Sequence, residues 1–203
     1  MRRIGIFGGS FNPIHMGHLH LGEAFLDEAT LDELWFVVSP MNPLKKDDDL
    51  LCDEKRLEMA QLAIDDFRCA KRELQMKVSD YEFHLPRPSY MINTLRGICN
   101  DYPDVHPVLL IGEDNWQRFP QWYKAQEILS SFEIFIYPRQ TEREAESNWK
   151  MPQGSNVAWL KDAPLLDVSS TEIRQRLRNG ESISGMVTKN VESYIHRHHL
   201  YVN

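Results

Sequence analysis

Short apolar runs alternate with segments of helical periodicity along almost the whole chain of 203 residues. The runs have the length of buried strands, whereas the segments between them space apolar residues three and four positions apart. We predict strands at residues 4–7, 34–38, 74–78, 108–111, 132–137 and 157–160, with a further one at 165–168. Alternation of this kind favours an α/β fold, with a mostly parallel, doubly wound sheet covered by helices on both faces.

Capping residues and apolar periodicity indicate where the helices lie. One helix is predicted over residues 17–30, a second is capped by Asp53, and a third is capped by Ser89 and ends near residue 100. A short helix ends at residue 131, and two helices at 170–178 and 188–196 close the chain. The length suits one domain. We therefore predict a single domain over residues 1–203, with a helical C-terminal part from about residue 169.

The composition limits the classes of function. A net charge of -7 argues against a protein that coats nucleic acid or an anionic membrane, although a few aimed cations could still build a local phosphate site. The three cysteines are widely spaced and form no C-x-x-C pair, which favours a cytoplasmic protein. No apolar stretch is long enough for a signal peptide or a membrane span.

The polar candidates gather at the ends of predicted strands. Gly8-Gly9, Ser39-Pro40, Gly112 with Asp114, and Tyr137-Pro138-Arg139 each follow an apolar run. In parallel sheets the carboxyl ends of the strands share one rim, where ligands bind. We expect these residues to line a common site.

The stretch GIFGGSFNPIHMGH, residues 5–18, joins the first strand to the first helix. Gly8 and Gly9 allow close approach of a ligand to the backbone, and a helix start offers free N–H groups to an anion. His15 and His18 can add donors for phosphate oxygens. The plain alternative is a tight turn with two surface histidines, and zinc is a weaker alternative because no third ligand is evident. Neither the dinucleotide fingerprint nor the P-loop pattern is present.

A second stretch, VSSTEIRQRL at residues 168–177, has the features of a helix start. Ser169 and Glu172 have the spacing of a capping box, which is the plain interpretation. The same segment also presents the hydroxyls of Ser170 and Thr171, and Arg174 lies one turn further along. It could therefore form a second phosphate site.

Together these motifs resemble the nucleotidylyltransferase superfamily, whose patterns are G-x-F-x-P-x-H-x-G-H and [IV]-S-S-T-x-x-R. Four further segments, RPSYMINTL, LLIGEDN, FPQWYKAQEIL and the closing VESYIHRHHLY, are similar to those of bacterial nicotinate-nucleotide adenylyltransferases. The resemblance covers nearly the whole chain. It implies a Rossmann-like fold and transfer of AMP from ATP to nicotinate mononucleotide, which gives deamido-NAD and pyrophosphate.

The resemblance also implies residue roles. His18, His15 and Arg174 would be catalytic. ATP would contact Gly8, Gly9, Ser10, Phe11, His15, His18, Lys45, Gly112, Asp114, Arg139, Ser169, Ser170, Thr171 and Arg174. The acceptor would contact Ser10, Asn42, Met91, Trp122 and Tyr123. Mg²⁺ would arrive with ATP and keep most of its waters, so no protein ligand to a metal is predicted.

Several positions depart from the family pattern, namely Asn12 in place of Asp, Leu44 in place of His, Leu85 in place of Arg and Met91 in place of Thr. Three alternatives remain open: a pantetheine-phosphate adenylyltransferase, a small cytidylyltransferase, or a nucleotide-binding regulatory protein without activity. The expected partners are small molecules, with neither nucleic acid nor membrane. The oligomeric state is open, a homo-oligomer included.

Overall fold

The computed structural model describes residues 1–40, 50–71, 75–138, 154, 156–161 and 168–202. These residues contain one six-stranded sheet, and every neighbouring pair of strands in it is parallel. The strands are β1 (Arg2–Gly9), β2 (Glu33–Val38), β3 (Met76–Ser79), β4 (Val105–Gly112), β5 (Glu133–Tyr137) and β6 (Val157–Trp159). Their order, β3-β2-β1-β4-β5-β6, reverses direction between β1 and β4, and a ligand crevice opens at such a point in doubly wound folds.

Seven α-helices occur within the same described ranges. They are α1 (Met16–Glu28), α2 (Asp53–Ala70), α3 (Met91–Asp101), α4 (Glu113–Gln117), α5 (Ala125–Ser131), α6 (Ser170–Arg178) and α7 (Lys189–Arg197). Two 3₁₀ helices, Tyr81–His84 and Phe119–Gln121, lie in the connections before α3 and α5.

The two faces of the sheet carry separate apolar cores, as alternation along a strand requires. From β1, Phe7 points to the face covered by α1, α2, α6 and α7, whereas Ile4 and Ile6 point to the face covered by α3, α4 and α5. Both faces of the central strands are therefore buried. The prediction of a parallel sheet with helices on both sides is confirmed.

Two predicted helix caps are wrong. Cys52, not Asp53, is the N-cap of α2, because the Asp53 carboxylate is held by Arg56 and Arg87. Tyr90, not Ser89, precedes α3 in an extended conformation, while Ser89 is buried. The structure also contains α4, which has five residues and is too short to give a periodic signal. Residue 74 of the predicted third strand and residues 165–167 of the last one lie outside the described residues.

Candidate active site

A cleft of about 430 Å³ opens at the carboxyl ends of the central strands, where the strand order reverses. Its floor comes from the ends of β1 and β4, and the residue after β2 and the last residue of β5 lie beside it. The lining residues are Phe7, Gly8, Gly9, Ser10, Ser39, Glu82, Ser89, Tyr90, Met91, Leu110, Ile111, Gly112, Asn115, Gln121, Trp122, Tyr123 and Tyr137.

His15 and His18 form the start of α1. His15 is the N-cap residue and is 7 % exposed, and His18 is the third residue of the helix. The backbone N–H of His15 donates to Nδ1 of His18 at 3.2 Å, and the two rings lie 3.7 Å apart between centroids. Phe7 and Phe11 pack their rings against His18 at 5.9 and 5.1 Å. The second imidazole is thus fixed on several sides.

This hydrogen bond also sets the tautomer of His18. A ring nitrogen that accepts a hydrogen bond cannot itself carry a proton, so in the neutral imidazole the proton lies on Nε2. This assignment follows from the heavy-atom geometry. His18 therefore presents an N–H donor on the side of the ring away from the His15 backbone.

The second motif meets the first at the backbone of residues 12 and 13. Arg174 of α6 is 9 % exposed, and its Nη1 donates to the carbonyl of Asn12 at 2.9 Å. The hydroxyl of Ser170 donates to the carbonyl of Pro13, also at 2.9 Å. Segments more than 150 positions apart in sequence are therefore joined at one loop.

Asn12 is the centre of this junction. Its side chain is buried, and Oδ1 accepts hydrogen bonds from the Tyr201 hydroxyl at 2.8 Å and from the Leu51 backbone at 3.3 Å. An aspartate, which the family usually has here, could accept the same two bonds. The departure at Asn12 is therefore compatible with the observed geometry.

The predicted capping box at α6 is only half formed. The backbone N–H of Glu172 donates to Ser169 Oγ at 3.1 Å, as predicted. The Glu172 carboxylate, however, accepts from Nε of Arg176 at 3.0 Å instead of reaching back to the backbone of Ser169. The neighbouring arginine one turn along the helix competes successfully for it, because a carboxylate pairs strongly with a charged donor.

The wall opposite β1 is aromatic. Tyr90 and Tyr123 pack with ring centroids 4.8 Å apart, and Trp122 packs on Phe119 at 5.2 Å. Within the described residues, Nε1 of Trp122 is buried and has no hydrogen-bond acceptor. Met91, at the N-terminus of α3, lines the cleft beside these rings. An aromatic wall beside a helix N-terminus suits a flat ring that carries an anionic group.

Glu82 places a carboxyl group in the same region. The residue is 2 % exposed and lines the cleft, and its Oε1 accepts a hydrogen bond from the Thr94 hydroxyl at 2.9 Å. Burial raises the pKa of Glu82, and the nearby hydroxyls of Ser39, Thr94 and Ser89 offset only part of that effect. Neither Ser39 nor Ser89 reaches hydrogen-bonding geometry with Oε2, which lacks a partner among the described residues.

Comparisons with known proteins show the family to which the chain belongs. A family model described as cytidylyltransferase-like matches residues 6–176. The chain belongs to this family. Among the curated proteins similar to it, a probable nicotinate-nucleotide adenylyltransferase of Bacteroides fragilis is 44% identical over 181 residues, which are 89% of this chain and 85% of that protein. One of the same name from Cytophaga hutchinsonii is 41% identical over 99% of both chains.

A solved structure shares the fold of the present chain. Plasmodium falciparum nicotinic acid mononucleotide adenylyltransferase, complexed with NaAD, superposes with a TM-score of 0.78 at 18% identity, and covers 99% of this chain and 98% of that one. The predicted Rossmann-like fold and the resemblance on which it rested are confirmed.

The cleft of this cytidylyltransferase-like protein brings together many of the predicted site residues. Gly8, Gly9, Ser10, Gly112, Met91, Trp122 and Tyr123 all line it. Asp114 is exposed at the start of α4, and its Oδ1 lies 2.5 Å from where a Cβ on Gly112 would be, so that position accepts only glycine without movement. Thr171 and Ser169 are exposed at the start of α6. The predictions for Asn42, Leu44, Lys45 and Arg139 lie outside the described residues.

Sequence reasoning missed Arg56, which lies behind the cleft, and three polar residues that line it, Glu82, Asn115 and Gln121. The first gave a readable signal. Arg56 occupies the same helical stripe as Met59, Ala60, Ala63, Ile64 and Phe67, all of which are buried. A charge on an apolar stripe predicts a buried, fully bonded side chain. The other three lie in short 3₁₀ or helical turns whose sequences carry no comparable pattern.

Two features are absent from the described residues. No helix in this part of the chain is both long and apolar enough to cross a membrane. Within the same ranges, no three side chains of histidine, cysteine, aspartate or glutamate form a group that could hold a metal ion.

Proposed function

We propose that this chain transfers the AMP part of ATP to nicotinate mononucleotide, forming deamido-NAD and releasing pyrophosphate. The observation that carries the proposal is the contact between Arg174 and the Asn12 carbonyl, which joins the second motif to the loop whose residues Gly8, Gly9 and Ser10 line the cleft. The names of the curated relatives support the same reaction.

The chemistry needs little proton transfer. The phosphate of the mononucleotide is largely a dianion at neutral pH, with a second pKa near ~6, so it can attack without a general base. One of its oxygens forms a bond to the α-phosphorus of ATP, the bond from that phosphorus to the bridging oxygen breaks, and the electron pair leaves with pyrophosphate. Catalysis then depends on positioning and on stabilising negative charge.

The start of α1 supplies the donors for this charge. Nε2–H of His18 would contact the α-phosphate, and His15 with Arg174 would hold the β- and γ-phosphates, aided by the backbone N–H of Ser170 and the amides of Gly8 and Gly9. The aligned N–H groups of the helix add a partial positive charge at the same place. Each of these groups can act without gaining or losing a proton.

The acceptor would occupy the aromatic wall. Its pyridine ring would stack on Trp122 or Tyr123, and its carboxylate would meet the backbone N–H groups at the start of α3. The family has a threonine at the position of Met91. If that threonine binds the carboxylate through its backbone N–H, Met91 offers the same group. Gly112 and Asp114 would face the ribose of ATP.

Magnesium would enter with ATP. The N–H donors of His15 and His18 suit phosphate oxygens. Mg²⁺ prefers oxygen ligands and retains waters, so the phosphates and waters, and not protein side chains, would coordinate it. When bound, the ion neutralises part of the phosphate charge. We place the reaction in the cytoplasm, in keeping with three cysteines that are all free.

Pyrophosphate release with ATP and a panel of acceptors tests the proposal. We expect the highest kcat/KM with nicotinate mononucleotide and a lower value with nicotinamide mononucleotide. Phosphopantetheine as the best acceptor would indicate the pantetheine enzyme, and CTP as the best donor a cytidylyltransferase. No turnover with any pair would indicate a regulatory protein.

A further inference from the structure

Arg56 is a fully buried cation that lies behind the candidate site, not in it. Its side chain is 0 % exposed, and all five of its N–H donors can be assigned an acceptor. Nε donates to the carbonyl of Leu51 at 3.0 Å, Nη1 to those of Ser10 at 2.6 Å and Ser39 at 2.7 Å, and Nη2 to that of Pro40 at 3.4 Å and to Asp53 Oδ1 at 2.6 Å. One guanidinium thus holds the segments that follow both β1 and β2.

The bonds to Arg56 fix the direction of the backbone at residues 10 and 11. In a trans peptide the C=O and the N–H point in opposite directions. Because the Ser10 carbonyl points at the buried guanidinium, the N–H of Phe11 points away from it. The carbonyl of Gly9 likewise accepts from the Ser39 backbone at 2.9 Å, so the N–H of Ser10 points away from β2.

These two successive N–H groups have no hydrogen-bond acceptor in the described part of the chain. Ser10 lines the cleft, and Phe11 has a left-handed backbone with φ of 45°. Successive N–H groups near a left-handed residue commonly form a concave anion site. The left-handed conformation is costly for phenylalanine, so the surrounding contacts must hold it in place.

We propose that Arg56 is a positioning residue, which holds the backbone N–H groups of Ser10 and Phe11 toward the cleft so that they bind a phosphate group of a substrate. The proposal rests on the proposed function for the presence of phosphate substrates. The phosphate could belong to the acceptor mononucleotide or to ATP, and the experiment below separates the two.

The energetics favour this role over simple packing. Burying a guanidinium is costly, and an apolar side chain of similar size is often at least as stabilising as a buried ion pair. Asp53, the acidic partner of Arg56, also accepts from Nη2 of Arg87 at 2.8 Å. Arg87 belongs to the segment that leads to Ser89 and Tyr90 of the cleft wall, so the same carboxylate ties both sides of the cleft to Arg56.

Substrate pairs that differ only in phosphate provide the test. Calorimetric titration would compare nicotinate mononucleotide with nicotinate riboside, and ATP with adenosine, on the wild type, Arg56→Met and Arg56→Lys. Arg68→Met, an exposed change on the same helix, is the matched control. We expect Arg56→Met to weaken binding of one phosphorylated ligand at least about tenfold, as for a hydrogen bond to a charged group, with less than about twofold change for its unphosphorylated partner.

The pair that shows this difference identifies the phosphate. Arg56→Lys should give an intermediate loss, because an ammonium cannot span the same carbonyls, and it replaces the methionine variant if that variant does not fold. Equal losses with and without phosphate in both pairs, or no loss, would overturn the proposal. A wild type that binds ATP but no nicotinate ligand would contradict the proposed function, and the ATP and adenosine pair would still decide the role of Arg56.

Discussion

The backbone N–H of His15 donates to Nδ1 of His18, so the first histidine of the motif determines which nitrogen of the second carries the proton. The hydrogen bond at the N-terminus of α1 therefore also determines the tautomer of His18. The Nε2–H of His18 is fixed in direction before any substrate arrives. A donor of this kind stabilises charge that develops in the transition state at little cost in reorganisation.

Replacing His18 with alanine tests this role. His18→Ala should lower kcat by about 10²–10³, the usual cost of one aimed donor, and leave the KM for ATP nearly unchanged. His20→Ala is the matched control, because His20 lies on the same helix and pairs with Glu23 at 3.4 Å. Steady-state pyrophosphate release gives both parameters, and His18→Ala turning over at the wild-type rate would leave the pair with a structural role at the start of α1 only.

His15→Ala should behave differently. His15 is the N-cap residue of α1, and its proposed contacts are with the β- and γ-phosphates, which are charged before and after transfer. We expect a larger share of its loss in the KM for ATP than in kcat. A loss confined to kcat would contradict that division of roles.

Replacing Trp122 tests whether the aromatic wall of the cleft binds the acceptor. Trp122→Ala should raise the KM for nicotinate mononucleotide by about 10–100-fold, since stacking of one aromatic base is worth ~1–3 kcal/mol, and should leave the KM for ATP within about twofold. Trp159→Ala, a change on β6 at a residue 40 % exposed, is the control. Equal effects on both substrates would place Trp122 in the general packing of the fold.

The two glycines that end β1 should differ in tolerance. A Cβ on Gly9 would lie 2.8 Å from the ring of Phe11, which is buried, whereas a Cβ on Gly8 would lie 2.9 Å from the terminal methyl of Met91, which can swing aside. Gly9→Ala should cost ~1–3 kcal/mol of unfolding free energy by overpacking, and Gly8→Ala less. Urea unfolding of both variants measures this, and an equal loss would mean that the Phe11 ring moves freely.

The buried carboxyl of Glu82 should make the stability of the protein depend on pH. Burial raises the pKa of Glu82, so the folded state favours the protonated carboxyl, and the stability it contributes is present at low pH and lost as the pH rises through the folded pKa. Glu82→Gln cannot ionise and can still accept from Thr94. Its melting temperature relative to wild type should therefore be higher at about pH 7.5 than at about pH 5.

Glu181→Gln, at an exposed position, controls for the loss of one negative charge. The quantity to compare is the melting temperature of Glu82→Gln minus that of the wild type. If this difference is the same at both pH values, burial does not disfavour the ionised carboxyl.

The sheet was predictable because its strands are buried on both faces and read as continuous apolar runs. The glycine and histidine residues of the first loop were predictable because their spacing is local. The contact of Arg174 with Asn12 was not, since a bond across 162 positions depends on how α6 docks. The cap at Asp53 failed for the same reason: Arg87, 34 positions away, takes a carboxylate that local rules assign to the helix start.

The docking of the C-terminal segment onto Asn12 also bears on how the protein is made. The Tyr201 hydroxyl and the Asn12 side chain are 189 positions apart in the chain, and Arg174 holds the same residue from α6. A nascent chain on the ribosome can pair β1, β2 and β4 as they emerge, but it cannot complete this loop until the segment beyond α7 has left the exit tunnel. The two motifs therefore meet only after residue 201 has left the ribosome, when every strand of the sheet has already been made.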